Sequence, residues 1–134
     1  MTLEEFVGRI LLVPFVERGR DFDGVDCWGL ILLAYRNVLG IELPSYVDCY
    51  DKADVRGSRE LGQLVASHLP EWRRVSHPRA MDGALFLINK RPVHMGLLVD
   101  ERRVLHAEKK AGIFIERLYS PLWANRLEGI YRYE

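Results

Sequence analysis

Apolar residues change their spacing about two thirds of the way along this chain. Up to residue 68 they recur every three or four positions, as on helices; beyond residue 84 they alternate, as on strands. A first helix is predicted over Thr2 to Val13, with Phe6, Val7, Ile10 and Leu11 on one face. Thr2 and Glu5 form a capping box at its start, and Pro14 ends it. A second is predicted over Asp26 to Leu39, where Leu30, Ile31, Ala34 and Val38 follow Cys27 on one buried face and Gly40 supplies the stop. A third is predicted over Ser58 to His68, ahead of Pro70.

The strand-like half opens with the apolar run Ala84 to Ile88. Val93, Met95, Leu97 and Val99 then alternate with His94, Gly96, Leu98 and Asp100. Further strands are predicted over Arg102 to Ala107, Ile113 to Leu118 and Gly129 to Tyr133, with a helical turn at Pro121 to Asn125. Glu17 to Val25 and Ile41 to Asp54 are predicted as loops, the second rich in aromatic and acidic residues. Helices first and strands afterwards predict an α+β fold, with N-terminal helices packed on an antiparallel β-sheet.

Composition narrows the function classes. At 134 residues the chain is expected to form a single domain, 1–134. Lys+Arg and Asp+Glu both number 19, so charge points neither to nucleic acid nor to an anionic membrane. There is no apolar run long enough for a membrane span. The Met1-Thr2-Leu3-Glu4-Glu5 start is acidic where a secretory signal is basic, so synthesis in the cytoplasm without a signal peptide is expected. The two cysteines then read as reduced thiols.

The sharpest chemical signal is Asp26-Cys27-Trp28-Gly29 at the head of the second helix. Asp26 can cap that helix, and a cysteine in its first turn meets unpaired N–H groups and the positive dipole end, which favour a thiolate. The alternative is a small core side chain, the commoner fate of a free cysteine. A thiol nucleophile needs a base. His68 near a helix end and His77 in a polar loop read as surface residues. His94, mid-strand beside Gly96, and His106, on the next strand, can project from one face if those strands pair as a hairpin. Cys27, His94 and His106 would then be nucleophile, base and orienting group. Zinc on Cys27, Cys49, His94 and His106 competes for the same side chains, but no zinc-ligand spacing is present. No metal and no cofactor are therefore expected.

The segments Pro14-Phe15-Val16, Gly19-Arg20-Asp21 and Gly24-Val25-Asp26-Cys27-Trp28-Gly29-Leu30 resemble the approach to the nucleophile in the NlpC/P60 family of papain-like cysteine peptidases, in its phage-tail or prophage form. Gly40 to Pro44, Asp82 to Phe86, Val93 to Val99, Val104 to Ala107 and Arg126 to Arg132 resemble the later family segments, in order. The resemblance implies a papain-like fold, a catalytic set of Cys27, His94 and His106, and hydrolysis of peptidoglycan stem peptides between D-γ-glutamyl and a diamino acid. It also implies a substrate-binding role for Asp26, toward the substrate amine, and for Trp28 and Phe15. Trp28 stands where wall-acting members carry Ser, as in phage-type members, and Phe15 where they carry Tyr. The partners so implied are peptidoglycan stem peptides and phage tail proteins, with the virion tail as the place of action on the cell wall.

Two function classes follow. One is an active cysteine peptidase. The other is a catalytically weak or inactive structural or binding module of a tail tip, suggested by Phe15 and by the aromatic, acidic loop from Tyr46 to Asp54.

Overall fold

The computed structural model describes residues 1–46, 72–88 and 91–133. The predicted helix over Ser58 to His68, most of the 41–54 loop, His68 and Cys49 lie outside the described residues. Helix α1 spans Leu3–Ile10, capped by Thr2, whose hydroxyl accepts from Glu5 N–H at 3.1 Å. It buries Phe6 and Ile10. A two-residue hairpin, β1 (Arg20–Asp21) with β2 (Gly24–Val25), follows inside the stretch expected to be loop.

Helix α2 runs over Cys27–Ala34 and relaxes into a π-helical turn at Tyr35–Leu39. Gly40 closes it in the left-handed region, φ 66°. The sequence predicted one buried face; all eight residues of α2 are buried. Leu32 and Leu33, off the expected stripe, are as covered as Leu30 and Ile31. A helix apolar all round belongs inside the molecule. Each such leucine contributes on the order of 2 kcal/mol through burial.

The strands are β3 (Trp72–Val75), β4 (Gly83–Ile88), β5 (Arg91–Leu98), β6 (Arg103–Glu108), β7 (Gly112–Arg117) and β8 (Leu127–Tyr133). A short helix, α3 (Pro121–Ala124), precedes β8. They form one sheet in the order β3-β8-β4-β5-β6-β7, every neighbouring pair antiparallel. The architecture is α+β, as predicted. Strand β3 was not foreseen: with Arg73 and Arg74 exposed, only Trp72 of its four residues is buried, which leaves no alternation to detect.

Side chains alternate across this sheet. Leu85, Met95, Leu97, Leu105 and Ala107 join the main core with α1 and α2. On the opposite face, Ala84, Phe86, Leu98, Val104 and Ile130 pack with Trp123 of α3. Among the described residues, no helix is long and apolar enough to cross a membrane.

Candidate active site

Asp26 sets the start of α2. Its backbone is extended, and its Oδ1 accepts from Gly29 N–H at 2.8 Å and from Arg20 at 2.7 Å. Oδ2 accepts from Arg18 N–H at 3.2 Å. The same Arg20 donates to Ser45 O at 3.0 and 2.9 Å and to Gly19 O at 2.8 Å. One guanidinium thus ties the β1–β2 hairpin, the helix start and the chain after α2 together. Gly29 permits this contact, because a Cβ there would run into the Gly19 carbonyl. Asp26 is only 1% exposed, so its carboxylate is committed to the interior rather than presented to solvent.

Cys27 is the first residue of α2, and its thiol is buried. The backbone N–H groups of Met95 and Trp28 point at the sulphur and lower its pKa, as does Arg20. Burial, first, and the neighbouring Asp26 carboxylate, second, outweigh them and push the thiol up to about 12. The helix N-terminus was expected to favour a thiolate. In this resting arrangement the cost of burying a charge is larger.

Strand geometry explains the Met95 contact. Leu98 N–H donates to Asp82 O, on the β4 side; alternate residues then turn their N–H groups the other way, so Leu97 and Met95 face β6. The β5–β6 ladder holds only Leu97↔Leu105 and Leu98↔Val104. Beyond it the strands part, and Met95 N–H is left for the sulphur. Cys27 therefore sits at the opening between β5 and β6, beside the residue that follows His94.

The imidazoles lie against Phe86 and Trp123, on the sheet face opposite Met95. His94 Nε2 and His106 Nδ1 are 2.8 Å apart, the rings nearly parallel at 17°. The hairpin expectation for these two side chains is met in geometry. Trp123 stacks on His106 at 4.4 Å, Phe114 at 5.1 Å, and Phe86 lies 5.9 Å from His94. This aromatic shell excludes water, and burial depresses His94 to about 4; burial and then the charge of His94 depress His106 to about 3. Gly96 makes room for the pair: a Cβ there would lie 2.6 Å from Val104 Cγ2 and 3.4 Å from His106 Nδ1. His94 Nε2 is engaged by His106, so Nδ1 is the nitrogen left for chemistry. Among the described residues, Cys27 and His94 are not hydrogen-bonded to one another.

The remaining predicted residues are placed differently. Trp28 is 3% exposed, donates from Nε1 to Pro44 O at 2.7 Å, and packs near Tyr46 and Trp72. Phe15 is half-buried against the main core and forms a bridge with Val25. His77 is exposed and offers its carbonyl to Arg132. Among the described residues, no group of three or more His, Cys, Asp or Glu is placed to hold a metal ion. Phe86, Phe114, Trp123 and Arg20 were not singled out from the sequence. Strand register could have found two of them: Phe86 stands opposite His94, and Phe114 opposite His106.

The model of the NlpC/P60 family matches residues 13–132. Among curated proteins, the chain is 26% identical over 108 residues to the Escherichia coli K12 protein named murein DD-endopeptidase MepS/murein LD-carboxypeptidase; the O157:H7 counterpart matches equally. The match takes in 81% of this chain and 49% of theirs, so the chain spans about half the length of those relatives. Among solved structures, an NlpC/P60 family protein from Bacillus cereus ATCC 10987 superposes with a TM-score of 0.69 at 20% identity, over 98% of this chain and 39% of the other. The NlpC/p60 domain of the peptidoglycan hydrolase SagA gives 0.64 at 13% identity, over 99% and 97%. A lipoprotein-like family member from Staphylococcus aureus Mu50 gives 0.67 at 22%, over 98% and 39%. These structures share the fold.

Proposed function

Starting from a chain that belongs to the NlpC/P60 family, we propose that it is a cysteine peptidase hydrolysing peptidoglycan stem peptides, with Cys27 as nucleophile, His94 as base and His106 as the group that orients it. The observation that carries this reading is the buried His94–His106 couple, 2.8 Å long, set one residue from the backbone N–H that faces the Cys27 sulphur.

The resting site is uncharged at neutral pH: the thiol is protonated and both imidazoles are neutral. His94 Nδ1 takes the thiol proton as the sulphur turns toward the substrate carbonyl, so charge develops only during attack. Nε2–H of His94 meanwhile donates to His106 Nδ1, which fixes the ring and its tautomer. The backbone N–H of Cys27, at the head of α2, faces the developing oxyanion. His94 then returns the proton to the leaving amine, and water hydrolyses the thioester.

The bond we assign is γ-D-glutamyl to a diamino acid, and the setting a phage or prophage tail whose proteins carry the domain from the cytoplasm, where it is made, to the cell wall. Both rest on the likeness of segments 14–30, 93–99 and 126–132 to phage-type members. Digestion of defined muropeptides, with product masses, tests the bond. Release of a fragment beginning with the free diamino acid supports it. Release only at the D-alanyl cross-link would replace it with the activity named for the Escherichia coli relative.

The raised Cys27 thiol, with no hydrogen bond to His94, favours a second reading as a catalytically weak tail module. Iodoacetamide labelling mapped to peptides separates the two. If stem peptide speeds Cys27 labelling or forms an acyl-enzyme, catalysis stands; if Cys27 stays inert with substrate, the module reading replaces it.

A further inference from the structure

At the end of the sheet away from the imidazoles lies a cavity of about 540 Å³ lined by His77, Pro78, Glu101, Arg102, Arg117 and Tyr119. Arg102 immediately precedes β6, and His106 lies three strand residues beyond Arg103, roughly 10 Å. The cavity therefore lies apart from the catalytic couple. Its charges are unevenly matched. Asp100, next to Glu101 in the chain but not in the lining, is spent on Arg103 at 2.8 Å, and Glu101 reaches Arg102 only at 3.9 Å. Arg117 makes no ion pair among the described residues. It stands directly opposite Arg103 in the β6–β7 ladder; Arg103 has the Asp100 carboxylate, and Arg117 has none among the described residues. An oxyanion at Arg117 would give that cation the partner it lacks.

The rest of the lining limits what carries the oxyanion. Tyr119 is 62% exposed, and its ring with Pro78 offers apolar surface beside the guanidinium groups. The carboxylate of Glu101 can accept from hydroxyls, and the ring of His77 can accept from or donate to them. Two guanidinium groups, an aromatic side chain and hydroxyl partners lining a cavity of this size fit a sugar ring bearing one anionic group. We propose that this cavity binds an anionic saccharide, with Arg102 and Arg117 on its phosphate or carboxylate and Tyr119 against its ring.

The test is an NMR titration of the full chain, read at the arginine Nε–H and Tyr119 ring signals. It uses glucose 6-phosphate, glucuronate, inorganic phosphate and glucose as probes and involves no cleavage, so its result is independent of the peptidase reading. Saturable shifts at Arg102 and Arg117 with a Kd near or below about 1 mM are expected for at least one sugar anion. Phosphate and carboxylate as the preferred group are distinguished by which of the two binds more tightly. Arg117→Gln should weaken that binding about tenfold, and Arg102→Gln comparably. Tyr119→Ala should weaken the sugar anion and leave inorganic phosphate unchanged. The proposal is overturned if neither sugar anion saturates, if glucose binds as well as they do, if both arginine variants bind like wild type, or if Tyr119→Ala changes nothing.

Discussion

His94 Nε2 and His106 Nδ1 face each other at 2.8 Å inside a shell of Phe86, Phe114 and Trp123. One ring donates and the other accepts, so their duties are unequal. In the proposed mechanism His94 must move a proton, which an amide cannot do, whereas His106 need only accept a hydrogen bond. We expect His94→Gln to lower kcat/KM for a stem peptide by about a hundredfold or more. His106→Gln should keep a measurable part, roughly a tenth. Assay of folded variants checks this; equal losses, or a larger loss at His106, contradict the assignment.

Depressed histidines make the fold sensitive to acid. In the unfolded chain both imidazoles bind protons below about pH 6.5; in the fold they stay neutral down to about 4 and about 3. The unfolded state then holds more protons, so stability present above pH 6.5 is lost progressively as pH falls toward 4. Each unit of separation corresponds to about 1.4 kcal/mol. Denaturant unfolding from pH 8 to 4 should show this decline, and His106→Phe should flatten part of it. His94, the proposed base, remains neutral over the same range, so kcat/KM corrected for folded fraction should not fall near pH 6.5.

Gly96 tests the fit between strands. Its missing Cβ would press on Val104 and the Leu105 carbonyl as well as on His106. Gly96→Ala is expected to cost about 1–3 kcal/mol in stability by overpacking. It should also reduce turnover in the molecules that remain folded, by displacing His106. Thermal melting with activity per folded molecule checks both; an unchanged melt would mean that the strands yield freely there.

Alternation in 93–99 revealed β5 and the common face of His94 and His106, because period two maps directly onto side-chain direction. Asp26 was legible as a cap for the same local reason, and Thr2 likewise. What depended on tertiary packing was not. Leu32 and Leu33 are apolar in any reading, but only the layers around α2 make that helix buried on every side. Trp72 anchors β3 through contacts to Tyr35 and Tyr133, far away in sequence. The dipole at the head of α2 argued for a thiolate, yet burial of Cys27 beside Asp26 reverses the balance. The ring shell around His106 depends on strand register and on α3, neither of which a single run of residues discloses.

Release of soluble fragments from purified peptidoglycan, followed by mass analysis, bears most directly on Cys27 as the nucleophile of a wall peptidase. The wild-type chain under reducing conditions should release stem-peptide fragments, while Cys27→Ala and His94→Gln, folded by circular dichroism, should release none above background. Equal release by wild type and Cys27→Ala, or none by wild type at any pH from 5 to 8, would contradict the account.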